Sequence, residues 1–419
     1  MRSLVLIAVF AASHAQAKEL YLASRTLPTS SSPESVTIAD LNADGRPDVI
    51  TADSGSGRLT IYYASADGFA APATLNVGAG AFEARVADLN SDALPDLVVA
   101  RIGSFGGGGS VAVRLATSPG VFAPETVIAS GDTPVALDVA DLNADGLLDI
   151  VAADSGFSGG GDELFVVLAI GAGAFAPPVR YPAGDYPSDV VATDLNADGR
   201  VDLVVANAAS GSAGVFYGVS SGVFAPMQIF PAGSGPRGVA VADVNGDARP
   251  DLATANGIGS ADASLLLASG PAFAPEQRLA VGSFPTSVVL VDLDADGAVD
   301  LVTANRSTAD VSVRFGDGAG AFAPAQSIPA GAGANFVASG DLNRDGRPDL
   351  AVANVGSDSL TLLLSTTPDR TDDGVVDAHD LASLLSEWGR GGADLNADGT
   401  TNADDLALLL DAWGPLAPK

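Results

Sequence analysis

Short apolar runs alternate with acidic, glycine-rich and proline-containing turns along most of the chain. One unit reads VALDVADL at 135–142, LDIVAAD at 148–154, ELFVVLAI at 163–170 and FAPPVRYPAG at 175–184. The runs are rich in β-branched residues, and no window within them has helical periodicity. Each unit therefore predicts four short β-strands.

An acidic motif, D-x-N-x-D-G-x-x-D with variations, returns at intervals of 48 to 53 residues. Four strands in a repeat of about 50 residues are the signature of a propeller blade. The sequence therefore predicts an all-β fold, a seven-bladed β-propeller of four-stranded blades. The motif begins at Asp40, Asp88, Asp141, Asp194, Asp243, Asp292 and Asp341.

The two ends of this array predict how the ring closes. The last unit stops after SLTLLLS at 359–365 and has no fourth strand, whereas ELYLASRTL at 19–27 precedes the first complete unit. We expect the N-terminal strand to complete the last blade, because closure removes exposed sheet edges.

Beyond the array the pattern becomes helical. Apolar side chains recur at i, i+3, i+4 and i+7, which places them on one side of two amphipathic helices. These stripes either serve a partner or form only the core of a small domain. They consist of Leu381, Leu384, Leu385 and Trp388, then Leu406, Leu409, Leu410 and Trp413.

The first residues predict a secretory signal, with Arg2, an apolar stretch at 4–12 and small residues before a cut after Ala17. The stretch is too short to span a bilayer, and no later segment is long and apolar enough. We expect a signal peptide at 1–17, a propeller at 18–366 and a helical domain at 367–414. The mature protein is expected to be secreted or cell-surface associated, without membrane insertion.

The formal net charge is −31, and removal of the predicted signal takes away one arginine and no acid. Such a surface repels nucleic acids and anionic membranes. Disorder is not expected, because 47% of the residues are apolar. The chain has no cysteine and therefore no disulfide. Bound divalent cations would offset the repulsion between its carboxylates.

The acidic loops have the pattern of an oxygen-lined cation site. In the first loop, oxygen side chains occupy positions 1, 3, 5 and 9, and Gly45 at position 6 allows a sharp turn. Such oxygens, with a backbone carbonyl from position 7, converge on a hard cation and favour Ca²⁺ over zinc or copper. A tight Asx-type turn without metal is the alternative.

Up to seven such sites are predicted in the propeller. Ala93 and Ala248 replace the glycine of position 6, so we expect those loops to bind more weakly or to turn differently. Asp294 replaces an asparagine and is expected to tighten binding. The predicted ligands are Asp40, Asn42, Asp44, Asp48, Asp88, Asn90, Asp92, Asp96, Asp141, Asn143, Asp145, Asp149, Asp194, Asn196, Asp198, Asp202, Asp243, Asn245, Asp247, Asp251, Asp292, Asp294, Asp296, Asp300, Asp341, Asn343, Asp345 and Asp349.

Two more loops precede the predicted helices, where an EF-hand-like loop takes a carboxylate from position 12. The helical domain is therefore predicted to be EF-hand-like and to hold two Ca²⁺ ions. Its predicted ligands are Asp369, Thr371, Asp373, Asp380, Asp394, Asn396, Asp398 and Asp405.

Two family resemblances follow from these motifs. DLNADGLLDIVAAD at 141–154 and GAGAFAP at 171–177 and 318–324 resemble FG-GAP/VCBS-type repeats, related to the integrin α-subunit propeller, over about 18–366. That resemblance implies cations in the hairpins between first and second strands, with ligands meeting the opposite face.

The C-terminal pair of loops and helices resembles a type I dockerin, which implies a cohesin-like partner. Tenth and eleventh loop positions often help to choose the partner in that family. Here they are Ala378 and His379, then Ala403 and Asp404, without the hydroxyl pair common in the family.

The predicted propeller contains few of the residue types that enzymatic catalysis uses. The two histidines are His14, in the predicted signal, and His379, so the propeller segment has neither histidine nor cysteine. This excludes a Ser-His triad, a cysteine nucleophile and a histidine-ligated zinc there. A carboxylate pair remains possible, but the glutamates form no recognisable pair in the sequence.

Aromatic residues on predicted loops are the candidate ligand-binding residues, since they can stack on sugar rings or anchor a protein. Alternatively, they pack between blades. They lie in two glycine-rich insertions, 102–110 and 155–163, and in the turns from fourth to first strands. These candidates are Phe105, Phe157, Tyr186, Phe284 and Phe336.

The sequence as a whole predicts a secreted, calcium-binding adhesion or scaffold-type protein. Its propeller would bind an extracellular protein or polysaccharide, and its dockerin-like module would tether it to a partner. The alternatives are a carbohydrate-active enzyme, a polysaccharide lyase or glycoside hydrolase, on the same propeller, and a purely structural extracellular component.

Overall fold

Every acidic loop of the array joins two neighbouring strands of one antiparallel sheet. The computed structural model describes residues 22–65, 68–103, 108–156, 162–270, 272–365, 375–386, 388–389, 395 and 401–415. The chain divides into a unit spanning Leu22–Ser365 and a second unit, whose described residues follow it in the sequence. The predicted signal peptide lies outside the described residues.

The first unit is the predicted seven-bladed propeller of four-stranded antiparallel blades. We number the blades 1 to 7 along the chain and their strands from the inside outwards. The inner strands are Pro33–Ala39, Ala81–Ala87, Pro134–Ala140, Pro187–Thr193, Pro236–Ala242, Pro285–Val291 and Ala334–Gly340. The second strands are Asp48–Asp53, Asp96–Arg101, Asp149–Asp154, Asp202–Asn207, Asp251–Asn256, Asp300–Asn305 and Asp349–Asn354.

The two remaining strands of each blade lie further out. The third strands are Arg58–Tyr62, Gly109–Arg114, Glu163–Val167, Ser212–Phe216, Asp262–Leu266, Asp310–Arg314 and Ser359–Ser365. The outer strands of blades 1 to 6 are Ala73–Asn76, Thr126–Gly131, Val179–Pro182, Gln228–Pro231, Gln277–Ala280 and Gln326–Pro329, and that of blade 7 is Leu22–Pro28.

Small hairpins connect the third and outer strands of blades 1 to 6. Blade 6 has a single bridge there, between Gly316 and Phe322. The hairpin strands are Ala64–Ser65 with Gly68–Phe69, Ala116–Ser118 with Val121–Phe122, Ala169–Gly171 with Ala174–Phe175, Gly218–Ser220 with Val223–Phe224, and Ala268–Ser269 with Ala272–Phe273.

The ring closes as the ends of the array predict. The N-terminal strand pairs antiparallel with the third strand of blade 7, from Leu22 opposite Ser365 to Pro28 opposite Ser359. The inner strands contact one another in order around the ring, and that of blade 7 contacts that of blade 1. Blade 7 therefore combines the first and last strands of the array.

The hydrophobic core lies between neighbouring blades. Second strands are buried along almost their whole length, because each is covered on both faces by adjacent sheets. One cluster joins Val98 and Val111 of blade 2 to Ile150 and Phe165 of blade 3. This burial explains why the second strands are nearly continuous apolar runs rather than alternating ones.

The second unit contains two short helices, Ala378–Ser386 and Ala403–Asp411, and a small strand pair, Val375–Val376 with Gly414–Pro415. Leu384 and Leu409 are fully buried and pack with Val376 and Leu395. Trp388 and Trp413 are each 46% exposed. The predicted apolar stripes are thus only partly buried. Among the described residues, no helix is long and apolar enough to cross a membrane.

Candidate metal loops and ligand surfaces

The acidic loops all connect an inner strand to the second strand of the same blade, where the family resemblance places them. In the first loop, Asp40 accepts hydrogen bonds from the backbone N–H of Asp44 at 3.0 Å and of Gly45 at 2.7 Å. Asn42 also accepts from Asp44 N–H, at 2.9 Å. These are the bonds of an Asx-type turn, and they fold the side-chain oxygens over the loop.

The loops with alanine at position 6 do not turn differently, which corrects that part of the expectation. Ala93 and Ala248 have φ values of 66° and 63°, in the same left-handed region as Gly45 at 81°. Their N–H groups donate to the first aspartate of the loop at 2.8 and 2.7 Å, as the glycine does. The repeated hydrogen bonds impose the turn even where a Cβ opposes it.

The ninth residue of each loop has a role that the sequence did not reveal. Asp202 is fully buried and accepts the N–H of Leu195 at 3.1 Å and that of Gly218 at 2.8 Å. Leu195 is the second residue of the loop, and Gly218 begins the small hairpin of the same blade. The carboxylate therefore ties three segments together. The same two bonds recur at Asp48, Asp96, Asp149, Asp251, Asp300 and Asp349.

Burial is the main cause of raised pKa values at six of the closing carboxylates, and other loop aspartates add to it; the six are Asp48, Asp96, Asp149, Asp202, Asp251 and Asp349. The pKa of Asp149 rises to about 6 and that of Asp349 to about 7. A bound cation would favour the charged form. In blade 6, carboxylate oxygens of Asp292, Asp294 and Asp300 all lie within 4.8 Å of one another, close enough to share one cation.

Only two of the predicted C-terminal ligands lie among the described residues. Asp380 and Asp405 are fully buried. Asp380 accepts the N–H of Asp377 at 2.8 Å, and Asp405 accepts the N–H groups of Leu395 at 2.6 Å and Asn402 at 2.7 Å. The others, Asp369, Thr371, Asp373, Asp394, Asn396 and Asp398, lie outside the described residues.

Two of the five aromatic candidates lie on the face opposite the acidic loops. Tyr186 and Phe284 are half-buried and precede the inner strands of blades 4 and 6 with φ values of 58° and 59°. Bulky residues adopt this left-handed conformation rarely. The guanidinium of Arg237 lies 5.2 Å from the centre of the Phe284 ring. Phe105 and Phe157 lie outside the described residues.

Phe336 is not on a turn, which corrects its predicted place. It lies within the inner strand of blade 7 and packs against the core between blades 7 and 1. The strand starts earlier than expected because Ala334 already pairs with Asn354. At Phe336 the structure therefore favours packing between blades.

Four charged residues on the inner strands of blades 2 to 4 form a cluster that the sequence did not reveal. Glu83 pairs with Arg85 at 2.5 Å, and Asp138 and Asp189 interact with both electrostatically. Burial raises the pKa of Glu83 to about 7 and that of Asp189 to about 6. The residues come from three repeats, so no local spacing indicates them.

The cluster also links the blades. Glu83 accepts the N–H of Leu137 in blade 3 at 2.6 Å, and Asp189 accepts the N–H of Val239 in blade 5 at 2.9 Å. Asp138 likewise accepts an N–H from blade 4. Each carboxylate thus fastens its inner strand to that of the next blade.

Comparisons with known proteins agree with this architecture. A family model described as an FG-GAP-like repeat matches residues 40–99, 88–152, 144–205, 194–254 and 269–352. No curated protein matches the chain.

Two solved structures resemble the chain over 83% of its length and 98% of theirs. One is BBS1N in complex with ARL6DN, soaked with lead, at 13% identity and a TM-score of 0.59. The other is the same complex soaked with mercury, at 15% identity and a TM-score of 0.58. At such identities the likeness establishes the fold alone.

Proposed function

Because this chain belongs to the family of FG-GAP-like repeat proteins, we propose that it is a secreted, calcium-stabilised propeller that binds an extracellular protein or polysaccharide. The observation that carries the proposal is the sevenfold recurrence of one loop, in which aspartate and asparagine oxygens gather beside a buried closing carboxylate. A chain with a net charge of −31 and no cysteine would gain cross-links and charge neutralisation from divalent cations.

Calcium would be held by the aspartates and asparagines at positions 1, 3, 5 and 9 of each loop. Blade 6 offers the best donor set, since Asp294 adds a carboxylate where the other propeller loops have asparagine. When bound, the ion would supply positive charge and cross-link the loop. We expect chelation to lower the melting temperature, through lost cross-links and restored repulsion.

The test is a titration of the full chain with calcium, measured by calorimetry. Thermal melting of the same protein is the second measurement. The variant Asp294→Asn should weaken the tightest site several-fold, because fewer carboxylates reduce affinity. Asp185→Asn is the matched control, since Asp185 is an exposed acid outside the loops. A melting temperature that is the same with calcium and with chelator would contradict the proposal.

The propeller face opposite the loops is proposed to contact the ligand. Tyr186 and Phe284 support this, because two half-buried rings are kept there in a strained backbone conformation. Captured extracellular proteins and glycans should be lost after Tyr186→Ala with Phe284→Ala. Unchanged retention of every captured ligand would refute the proposal that this face contacts the ligand.

The C-terminal unit is proposed to act as a dockerin-like tether. Each of its two helices has a buried leucine followed by an exposed leucine, and an exposed tryptophan lies just beyond each helix. The exposed set is Leu385, Trp388, Leu410 and Trp413. Replacing both tryptophans by alanine in the full chain should abolish capture of a tethering protein, whereas Val223→Ala, an exposed apolar change in the propeller, should leave it intact.

A carbohydrate-active enzyme is the second candidate, because Glu83, Asp138 and Asp189 gather around Arg85. Perturbed pKa values are common at active sites, but structural ion-pair networks share them. The backbone hydrogen bonds of these carboxylates favour the structural role. Release of new reducing ends from a polysaccharide, lost in Glu83→Gln, would establish the enzyme instead.

A further inference from the structure

A cavity of about 570 Å³ opens between blades 4 and 5 on the face of the acidic loops. Its volume is in the range of small-ligand sites. Blade 4 contributes Tyr217, Gln228 and its acidic loop around Asn196, and blade 5 contributes Phe273 and Arg249. The cavity therefore lies away from the face where Tyr186 and Phe284 are found.

The cavity lies beside a hairpin of blade 5 that is one residue shorter than the hairpin of blade 4. In blade 4 the hairpin joins Gly218 to Phe224, whereas in blade 5 Ala268 is already paired with Phe273, one residue sooner. The longer hairpins reach the preceding blade: a Cβ on Gly222 would lie 2.9 Å from Leu168 of blade 3. Gly270 in blade 5 lies three residues before Phe273, whereas Gly222 lies two before Phe224, and a Cβ on Gly270 would meet nothing within 4 Å.

The junction between blades 1 and 2 shows how a hairpin can cover a tyrosine of the preceding blade. A Cβ on Gly120 of blade 2 would lie 3.0 Å from the hydroxyl of Tyr63 in blade 1, so the hairpin covers that tyrosine. Tyr217 occupies the same place in blade 4 as Tyr63 in blade 1, immediately after the third strand. Its ring is left open to the cavity.

The walls combine two aromatic rings with polar groups. Tyr217 and Phe273 are half-buried and pack on the same core, and Phe273 is fixed by an edge-to-face contact with Phe230 at 4.9 Å. The side chains of Gln228 and Arg249 are exposed and have no hydrogen bond or ion pair within the described part of the chain. Fixed rings beside unused donors and acceptors are a ligand-binding arrangement.

We propose that this cleft binds a pyranose ring of a glycan. A sugar ring presents an apolar face, which suits Tyr217 or Phe273, and a rim of hydroxyl groups, which suits Gln228 and Arg249. The strongly negative chain disfavours polyphosphates and nucleic acids. The inference rests on the proposed ligand-binding function and names both its ligand class and a second location for it.

The experiment is saturation-transfer NMR on the full chain with cellotetraose, mannotetraose and tetragalacturonate, followed by calorimetry with each oligosaccharide that shows transfer. These probes distinguish neutral from acidic sugars. The distinction is needed because Arg249 would favour a sugar that has a carboxylate. Gln228→Ala and Arg249→Ala each remove an exposed side chain and should weaken binding about tenfold or more. Ala272→Trp should block the cavity.

Val223→Trp is the matched control, because Val223 precedes Phe224 as Ala272 precedes Phe273, on a hairpin that packs against its neighbour. Binding that survives in the control and is lost in the three cleft variants supports the inference. Absence of transfer from all three oligosaccharides would overturn it, as would binding unaffected by the cleft variants. Binding lost only with Tyr186→Ala and Phe284→Ala would overturn the proposal that the cleft binds the glycan. It would still support a propeller that binds a ligand.

Discussion

The propeller and the C-terminal unit use the same six residues, DLNADG, in two different settings. In blade 4 the N–H of Leu195, the second residue of the motif, donates to Asp202 at position 9. In the C-terminal unit the N–H of Leu395, again the second residue, donates to Asp405 at position 12. Both aspartates are fully buried. A loop of this kind is closed by a carboxylate from the next element, and a strand or a helix supplies it from a different position.

The two closing carboxylates differ in the second hydrogen bond that each accepts. Asp202 also accepts the N–H of Gly218, beyond the third strand of its blade. Asp405 accepts the N–H of Asn402 instead, within a capping box at the start of its own helix. The propeller carboxylate therefore joins distant segments, while the helical one acts locally.

The largest expected effect comes from removing the closing carboxylate in each setting. Asp202→Ala leaves two buried N–H donors without an acceptor and should reduce the free energy of unfolding of the propeller by about 3 kcal/mol. Asp405→Ala should cost the C-terminal unit about 2 kcal/mol, mostly through the lost cap. Urea unfolding followed by far-UV circular dichroism would report the propeller.

The two tryptophans of the chain, Trp388 and Trp413, separate the signals, because both lie in the C-terminal unit. Their fluorescence should change early in Asp405→Ala and stay unchanged in Asp202→Ala. Asp185→Ala, at an exposed acid, is the control. If both variants lose the same stability whether unfolding is followed by circular dichroism or by tryptophan fluorescence, the two units do not unfold independently.

The next effect is a pH dependence from a buried carboxylate that closes no loop. The folded chain holds the proton of Glu83 more tightly than the unfolded chain, since burial raises its pKa to about 7 from an ordinary 4.3 or so. Stability should therefore be greatest at low pH and fall as pH rises from about 4.5 to 7, by up to roughly 3 kcal/mol.

Denaturant midpoints across this range would measure that slope. Glu83→Gln should flatten it, whereas Glu125→Gln, at a more exposed ion pair with Arg101, should not. A slope unaffected by Glu83→Gln would contradict this prediction and assign the pH dependence to other buried carboxylates, such as Asp189 or Asp349.

The smallest effect concerns the loops that keep the turn without its glycine. Ala93→Gly and Ala248→Gly should each stabilise the propeller by up to about 1 kcal/mol, because a left-handed alanine is strained and glycine's greater unfolded entropy offsets only part of the gain. Gly199→Ala should show the opposite sign. Thermal melting of the three variants would check this, and destabilisation by both glycines would mean that the alanines are not strained.

The sequence specified the architecture because each blade is a local unit whose pattern repeats. The missing fourth strand at one end and the extra strand at the other were enough to predict closure. The cluster around Arg85 was missed because its members come from three repeats. The cleft at Tyr217 was missed because its walls come from two different blades, and the repeat pattern does not show which side chains meet between them.

The structure of the acidic loops was predicted in part. Oxygen positions and the strands they connect could be read from the motif. The second bond of each closing aspartate could not, because it joins segments 16 to 20 residues apart in the sequence, such as Asp202 with Gly218 and Asp96 with Ala116. The backbone preferences of alanine likewise do not predict the turn at Ala93, which hydrogen bonds impose.

The pairing of the N-terminal strand with blade 7 has a consequence for the order of folding. Leu22–Pro28 must remain without its partner until Ser359–Ser365 has been synthesised, so the first propeller strand waits for the last. Contacts between such distant segments form slowly, because a long loop must close before they are made. Until then two sheet edges are exposed to other chains. The time needed to synthesise the array and to close the ring, rather than the folding of any single blade, therefore sets how long the two edges are open to aggregation.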